Sequence, residues 1–519
     1  MTFAMPGSTV AADFVKAFRE FSLIVGEQWA SFSQEDREQY IDAYNPGERL
    51  EFVAGGFVAP ASVEEVQAVV RVAGRFNVPL WPVSTGKNLA YGGAAPLVPG
   101  TVVLDLKRMD RILELDEQLA YVLVEPGVSF FDLYRYLRDN GHKLWMSVPG
   151  PGWGSIIGNG LERGMGYGYF SDHFASSAGL EIVLPNGELL RTGMGAMSNG
   201  TAGSLLSCGY GPSIEGLFTL SNYGVVTKMA RHLLPEPEAY MSCEVNCRFD
   251  EGLEQMVDKL RPFKLDETIR NPIVISSLEM IASFLSVRSQ WYEGDGPVPD
   301  DILPVIQDRL NLGRWNASFA LYGSEVKVND AWARIEKAVK DIRGVELNAR
   351  LYHPGDKILH PRDQSQAGIP GLNEFGLVNW RGSGGHIDMG PIGPLTGVHA
   401  RRINELVRNE IHEYGFDHLC GFYCEMRMFR FVNTLVFKKN DQEEMKKVRE
   451  LYSVLIKKLA EQGYGENRTH IAYMEQVART YDYNDHAMLR FQETLKEAID
   501  PYGIIAPGKS GIWPKNYRG

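Results

Sequence analysis

The chain has 519 residues, of which 44% are hydrophobic and 23% charged, and its formal net charge is −12 at neutral pH. That length allows two or three domains with ample core material, and the acidic balance argues against a nucleic-acid surface or a polybasic membrane surface. Five cysteines in so long a chain exclude a disulfide scaffold.

The amino terminus, MTFAMPGSTVAADFVKAFREFSLIVGEQW, has no charged segment leading into an apolar one, so no secretory leader is expected. No apolar run reaches the ~18 residues of a membrane span. The expected location is the cytoplasm, with no membrane partner. SVEEVQAVVRVAGRFN (62–77) has helical periodicity, and VPLWPVS (78–84) reads as a short apolar strand. TVVLDL and AYVLVEPG read as further strands, and FFDLYRYLRDNGH as a helix with Leu133, Tyr136 and Leu137 on one face. The pattern is α+β, with glycine at the joints.

A proline-marked boundary comes next in LLPEPEAY, near residue 235. Beyond it come longer charged helices (DDILPVIQDRLN, HARRINELVRNEIHEYG, EEMKKVRELYSVLIKKLAEQGYG) and strand candidates (SFALYGSEV, TLVFKK), which predict a separate α/β lobe over 236–465. Cys243 and Cys247 are four apart, as are Cys420 and Cys424. Neither spacing suits zinc, so packed core thiols are expected and no metal. The chain closes with a helix stopped by Asp500-Pro501, then an irregular tail.

That tail contains GIIAPGKS (503–510), the spacing of a phosphate-cradling P-loop. A working P-loop lies after a buried strand and opens a helix whose N-terminus holds phosphate. Here a helix precedes the motif, Pro507 sits inside it, and Pro514 interrupts the few residues after Ser510. The motif is therefore not expected to bind a nucleoside triphosphate.

Two other stretches carry more chemistry. VSTGKNLAYGGAAP (83–96) comes directly after a strand, and successive backbone N–H groups of such a loop can cradle a pyrophosphate. A plain surface loop is the alternative. VPGPGWGSIIGNGLERGMGYG (148–168) is dense enough in glycine to wrap backbone closely around a large planar cofactor. It does not have the GxGxxG arrangement of a dinucleotide-binding first strand.

Taken together with VLDLKRMDRILELD, YVLVEPGVSFFDLYRYL, GLEIVLPNGELLRTGMGAM, SNYGVVTKM and DPYGIIAPGKSGIWP, these stretches resemble the vanillyl-alcohol oxidase / p-cresol methylhydroxylase family of flavoproteins. Within it the chain is similar to the 4-phenol oxidizing branch, which holds the vanillyl-alcohol and eugenol oxidases. The resemblance runs from about residue 15 to the end. It implies an α+β fold: a two-lobed FAD-binding domain of the p-cresol methylhydroxylase type (1–235, with a return at 466–519) and an α/β cap over 236–465.

The implied cofactor contacts are Ser84, Thr85, Gly86, Lys87, Asn88, Tyr91 and Gly92 in the first stretch. Gly154, Ser155, Gly158, Asn159, Arg163, Gly164 and Tyr167 come from the second, then Val225 and Val226, Arg468, and Lys509 near the flavin or its phosphates. A lysine at the flavin N1–C2=O edge would favour the anionic reduced form.

EFGLVNWRGSGGHIDMGPIG (374–393) bears on how FAD is held. Oxidases of the branch attach it through a histidine in a similar GGH segment, here His386. The cytochrome-linked methylhydroxylase uses a tyrosine whose position here is Val378, so a tyrosyl link is excluded. A structural or hydrogen-bonding histidine is the other reading of His386.

The family binds para-substituted phenols as phenolates and moves a hydride from the benzylic carbon to flavin, through a p-quinone methide. Holding the oxygen of a phenol with free pKa ~10 as an anion calls for directed donors in a dry pocket. Tyr91 and Arg468 match two of the family's three donors, whereas Asn467 replaces the third, a tyrosine. Relatives carry an acid or serine near Gly150 and Pro151, and often paired histidines where Arg430 and Phe431 stand.

Glu374 matches a family carboxylate and could deprotonate a substrate hydroxyl, or be an exposed loop charge. Arg430 could recognise phenolate or a substrate carboxylate, or form a salt bridge within the cap. The losses at Asn467 and Gly150 are expected to make room for bulkier, lignin-derived phenols.

The implied activity is an FAD-dependent oxidase of para-substituted phenols with O2 as acceptor, assembled as a homodimer or higher homo-oligomer. A cytochrome-linked 4-alkylphenol dehydrogenase is the alternative within enzymes, and a flavin-binding protein with lost catalysis the alternative outside them.

Overall fold

The computed structural model describes residues 8–518 apart from Ser383, with side chains from Asp13 onward. The leaderless reading of the first seven residues lies outside this range. In the amino-terminal part, valines spaced three and four apart (Val63, Val66, Val69, Val70) bury one face of the helix Val63–Phe76. The Ser62 side chain caps its start, and Asn77, left-handed at φ 52°, ends it. The helix covers a four-stranded sheet ordered Ala30–Ser31, Gly56–Val58, Val102–Asp105, Leu80–Val83, whose last three strands are parallel.

A second, antiparallel sheet runs Ile112–Asp116, Tyr121–Val124, Val225–His232, Ser177–Val183, Leu189–Arg191. Against it packs the helix Phe130–Asp139, started by a capping box between Ser129 and Asp132. Phe130, Leu133 and Leu137 are its buried residues. Between the two sheets lies the cleft that both glycine-rich stretches line.

Residues beyond 238 build a nine-stranded antiparallel sheet. Its order is Val345–Tyr352, Ala239–Cys247, Trp315–Gly323, Ile273–Ser277, Leu419–Cys424, Met428–Lys438, Pro391–Pro394, Gly465–Glu466, with Gly384–Met389 also paired to Met428–Lys438. The helices Gly252–Leu265, Glu325–Val339, Gly397–Glu413 and Gln442–Glu461 cover one face. The opposite face is turned toward the cleft along Met428–Lys438, where Arg430 and Val432 line it while Phe429 and Phe431 are buried in the core. Cys243, Cys247, Cys420 and Cys424 are core residues on two of these strands. Among the described residues, no helix is long and apolar enough to cross a membrane.

The tail returns to the first lobe. Ile505 forms a parallel bridge with Leu80, and Asn222 Nδ2 donates to the carbonyls of Ala506 (3.0 Å) and Ile512 (2.9 Å). Beneath it, Lys496 Nζ donates to the Asn222 and Ile505 carbonyls and pairs with Asp500 at 2.7 Å. Burial pushes the lysine down to about 8 and Asp500 opposes the shift. Within GIIAPGKS the only helical turn is the 3-10 segment Lys509–Gly511, with Ser510 left-handed at φ 55°. Among the described residues the motif opens onto this 3-10 turn and a second one, Lys515–Tyr517, rather than onto the α-helix N-terminus that holds phosphate in a P-loop.

Lys496→Met should leave Asp500 without its cation. Breaking a buried ion pair of this kind costs about 3–5 kcal/mol. The expected outcome is a lowered Tm and weakened FAD retention; an unchanged Tm would mean that apolar contacts alone hold the tail.

Candidate active site

One long cleft runs between the first lobe and the large sheet. Ser84, Thr85, Gly86, Lys87, Asn88 and Tyr91 line it from the loop after Leu80–Val83. Gly86 has φ +67° and Gly92 φ +111°, where a side chain would be strained. A Cβ at Gly92 would also meet Ile471 at 2.7 Å, so this glycine packs behind the loop rather than lining the cleft. Gly154, Ser155, Gly158, Asn159 and Gly164 line the opposite side, with Val225 and Val226 from the antiparallel sheet. A Cβ at Gly158 would stand 2.4 Å from Ser84 Oγ, so that glycine lets the two stretches meet.

Arg163, assigned by sequence to the cofactor, turns its side chain away. Its Nε donates to Thr219 Oγ1 (3.2 Å) and its guanidinium lies over Phe174. Only its carbonyl faces the site, accepting from Arg430 at 3.2 Å. Lys509 lines the cleft but is ion-paired to Glu162, which the sequence reading did not single out. Burial works against the Glu162 charge, but Lys509 and Arg468 overcome it and hold its carboxyl below the usual value. A carboxylate therefore shares the Lys509 charge within the cleft.

His386 is buried in the strand Gly384–Met389, its backbone opposite Val436 and its ring 4.6 Å from that of Tyr44. Burial lowers its pKa, with Asp388 opposing. His386 Nδ1 is buried without a hydrogen-bond partner, while the residue lines the cleft. Such an orphan costs stability unless a further group meets it.

At the substrate end the Arg468 guanidinium lies over the Tyr91 ring, 4.0 Å from its centroid, and its Nη2 donates to Asn88 Oδ1. Arg468 Nε is buried and unpartnered. Burial and Asp388 raise the Tyr91 hydroxyl, so it remains a donor at neutral pH. Asn467 is not among the residues lining the cleft, and its amide oxygen is buried without a partner.

Glu374 lines the cleft and is partly buried. Its Oε1 accepts from the Tyr167 hydroxyl at 2.6 Å, and Tyr167 and Tyr423 share a 2.8 Å hydrogen bond. Arg362 Nη1 stands 3.7 Å from Glu374, and its guanidinium lies over the Tyr167 ring. Tyr167, read from sequence as a cofactor contact, thus gives its hydroxyl to a carboxylate. Tyr423 and Arg362 had no sequence signal beyond chemistry that any tyrosine or arginine offers.

Gly150 explains the approach of Glu374. A Cβ there would lie 2.1 Å from Glu374 Oε2, so the space expected to be empty is filled by Glu374 itself. Arg430 lines the cleft and has no carboxylate within 4 Å among the described residues, so the salt bridge within the cap is absent. Beside it, Glu466 accepts from Gly390 N at 2.8 and 3.0 Å. Burial raises its carboxyl to about 7 despite these bonds.

These features define an FAD-linked oxidoreductase, and comparison with known proteins agrees. Residues 54–193 match the FAD binding domain family and residues 405–510 the C-terminal domain of FAD linked oxidases. The flavoprotein subunit of 4-cresol dehydrogenase (hydroxylating) from Pseudomonas putida is 31% identical over 510 residues, covering 98% of this chain and 97% of that protein. The 1'-carboxy-chondrochloren decarboxylase of Chondromyces crocatus is 31% identical over 499 residues, covering 88% and 91%. The solved 4-ethylphenol oxidase from Gulosibacter chungangensis, in its isoeugenol complex, superposes with a TM-score of 0.94 at 32% identity, covering 99% of this chain and all of that one.

The chain belongs to the vanillyl-alcohol oxidase / p-cresol methylhydroxylase family of FAD-dependent oxidoreductases.

Because the Glu466 carboxyl titrates near 7, it is mostly neutral below that pH and charged above it. A negative charge gained beside Arg468 would repel a phenolate held by that arginine. Binding of a phenol acidic enough to be ionised throughout should therefore weaken as pH rises from about 6 to about 8, and Glu466→Gln should flatten that step. An identical pH profile in the variant would place the titrating group elsewhere.

Proposed function

We propose that the protein oxidises para-substituted phenols (4-hydroxybenzylic alcohols, 4-alkylphenols and 4-allylphenols) with FAD held covalently by His386 and dioxygen taking the electrons as peroxide. The pairing of Tyr91 with an Arg468 guanidinium whose Nε is buried and unsatisfied carries this reading. Such a pair has no use in an apolar pocket but suits an oxygen that becomes anionic. FAD bound along the glycine-rich walls would supply the acceptor for a hydride from the benzylic carbon.

The residues then divide the work. Tyr91 and Arg468 donate to the phenol oxygen and stabilise its ionised form, which pushes electron density to the para carbon. As hydride leaves, the substrate becomes a p-quinone methide, or an aldehyde where the para group is an alcohol. Glu374 accepts the proton released by an incoming water or by the substrate hydroxyl, directly or through Tyr167. Arg362 supports the Glu374 charge. In domain terms, 1–235 with 466–519 would hold FAD and 236–465 would cap it.

Electron transfer to a cytochrome is the second reading. Val378 in place of the linking tyrosine disfavours it, and Val378 O lies only 3.3 Å from where a Cβ of Gly384 would stand, close to the histidine segment. Peroxide release on mixing with air separates the two readings.

Two outcomes test the proposal. Acid-precipitated wild type should stay yellow and fluoresce on a denaturing gel, while His386→Ala should release its FAD; a colourless wild-type pellet would overturn the covalent link. Losing one donor from such an anion site costs about 10²–10³ in rate. Arg468→Ala should therefore slow anaerobic flavin reduction by 4-ethylphenol by about that factor, with a much smaller change in affinity. Reduction at the wild-type rate would mean the phenolate is held elsewhere.

A further inference from the structure

Arg430 is not accounted for by the reaction just described. Strand register fixes its place on the cleft wall: in Met428–Lys438 it stands opposite Tyr423 on one neighbour and opposite Ile392 on the other. Tyr423 belongs to the Tyr167–Glu374 cluster. Ile392 is the neighbour of Pro391, which pairs with Glu466, two residues before Arg468. Arg430 therefore lies on the cleft wall between Arg468 and the Tyr167–Glu374 cluster, within electrostatic reach of Tyr91 and Arg468.

Its bonding is incomplete. Nη2 donates to the Arg163 carbonyl at 3.2 Å, but Nε is sealed from solvent with no partner. The carboxylates that act on it are otherwise engaged: Glu466 accepts from Gly390 N, and Asp172 accepts from Ala175 N at 2.9 Å. Burial holds Arg430 below its usual basicity, and Arg468 adds to this. Arg468 is balanced in part by Glu162, whose carboxyl it helps to hold charged, whereas Arg430 has no carboxylate within 4 Å among the described residues. A planar guanidinium with free donors is matched by a planar, two-oxygen anion.

We propose that the substrate ring carries a carboxylate beside the phenolate oxygen, and that Arg430 binds it. Arg430 is on this view the residue that sets specificity for a ring-carboxylated phenol, a narrower class than para-substituted phenols at large. The inference rests on the phenol-oxidising reading for the orientation of the ring, but its test does not require turnover.

Phenol, 2-hydroxybenzoate and 4-hydroxybenzoate have no benzylic C–H to give up as hydride, so each can be titrated into the holoenzyme by calorimetry without reducing the flavin. 2-Hydroxybenzoate should bind about tenfold or more tightly than either of the others. Arg430→Gln and Arg430→Met should bring the ratio of its Kd to that of phenol close to one, and Arg430→Lys should retain part of the preference. Equal affinities in the wild type, a preference for 4-hydroxybenzoate, or an unchanged ratio in the variants that fold would each overturn the proposal. If no variant folds, the wild-type ratio alone decides. Failure of the underlying reading is distinguishable: both 4-ethylphenol and its ring-carboxylated counterpart 5-ethyl-2-hydroxybenzoate would then leave the flavin oxidised, whatever the three affinities.

Discussion

The buried Lys496–Asp500 pair is the constraint on which the cleft's geometry rests. Its ammonium group joins Asn222 in the first lobe to Ile505 in the returning tail. Asp500 in turn accepts from the backbone N–H groups of Ile504 and Ile505. Asn222 and the 496–505 segment, 274 positions apart at Lys496, are thereby fixed within hydrogen-bond distance of one charge. The tail then has one position, with Ile505 against Leu80 and Lys509 against Glu162. A charge buried this deeply is costly alone and tolerable only when every donor is used, so the tail cannot slip without exposing a large penalty. GIIAPGKS therefore closes a cofactor cleft and opens no helix, which is why its resemblance to a nucleotide-binding loop is incidental.

The same economy of partners shapes the substrate end, with the opposite result. Around Lys496 each donor is satisfied by protein. On the cleft wall Arg430 Nε, Arg468 Nε and His386 Nδ1 are all buried without a partner. Buried polar groups are rarely left unbonded, so a concentration of them in one cleft marks where other molecules complete the bonding. Gly150 shows how finely the protein-side bonding is set. Any side chain there would displace the Glu374 carboxylate from Tyr167.

Much of the frame was legible in the sequence because local signals agreed with the tertiary fold. The helix over 62–77, the strands around it, and the long helices Gly397–Glu413 and Gln442–Glu461 arise from apolar periodicity bounded by caps. The glycine-rich walls were legible as well, since close backbone approach has few other residues to use. Side-chain pairing across the cleft was not. Nothing in ERG or APGKS tells that Glu162 takes up the Lys509 charge, and Tyr423 carries no motif that would place it against Tyr167. Such contacts join residues 347 and 256 positions apart. They are set by how the lobes meet, and periodicity reports only on one element at a time.

The departures from the family pattern at 150, 430 and 467 read differently once the packing is known. From sequence, 150 and 467 are losses that widen a pocket, and 430 is a cation with either an anionic ligand or a salt-bridge partner. In the folded chain Glu374 occupies the space beside Gly150, Asn467 does not line the cleft, and Arg430 brings a cation where an apolar or neutral side chain would leave space. Strand alternation makes the last change consequential. Phe429 and Phe431 are committed to the core, so the residue between them must face the cleft. An arginine at that position can neither retreat into the core without losing its solvation nor reach a surface carboxylate. Its charge is thus presented to whatever occupies the cleft, which adds an electrostatic constraint to the volume set at 150 and 467.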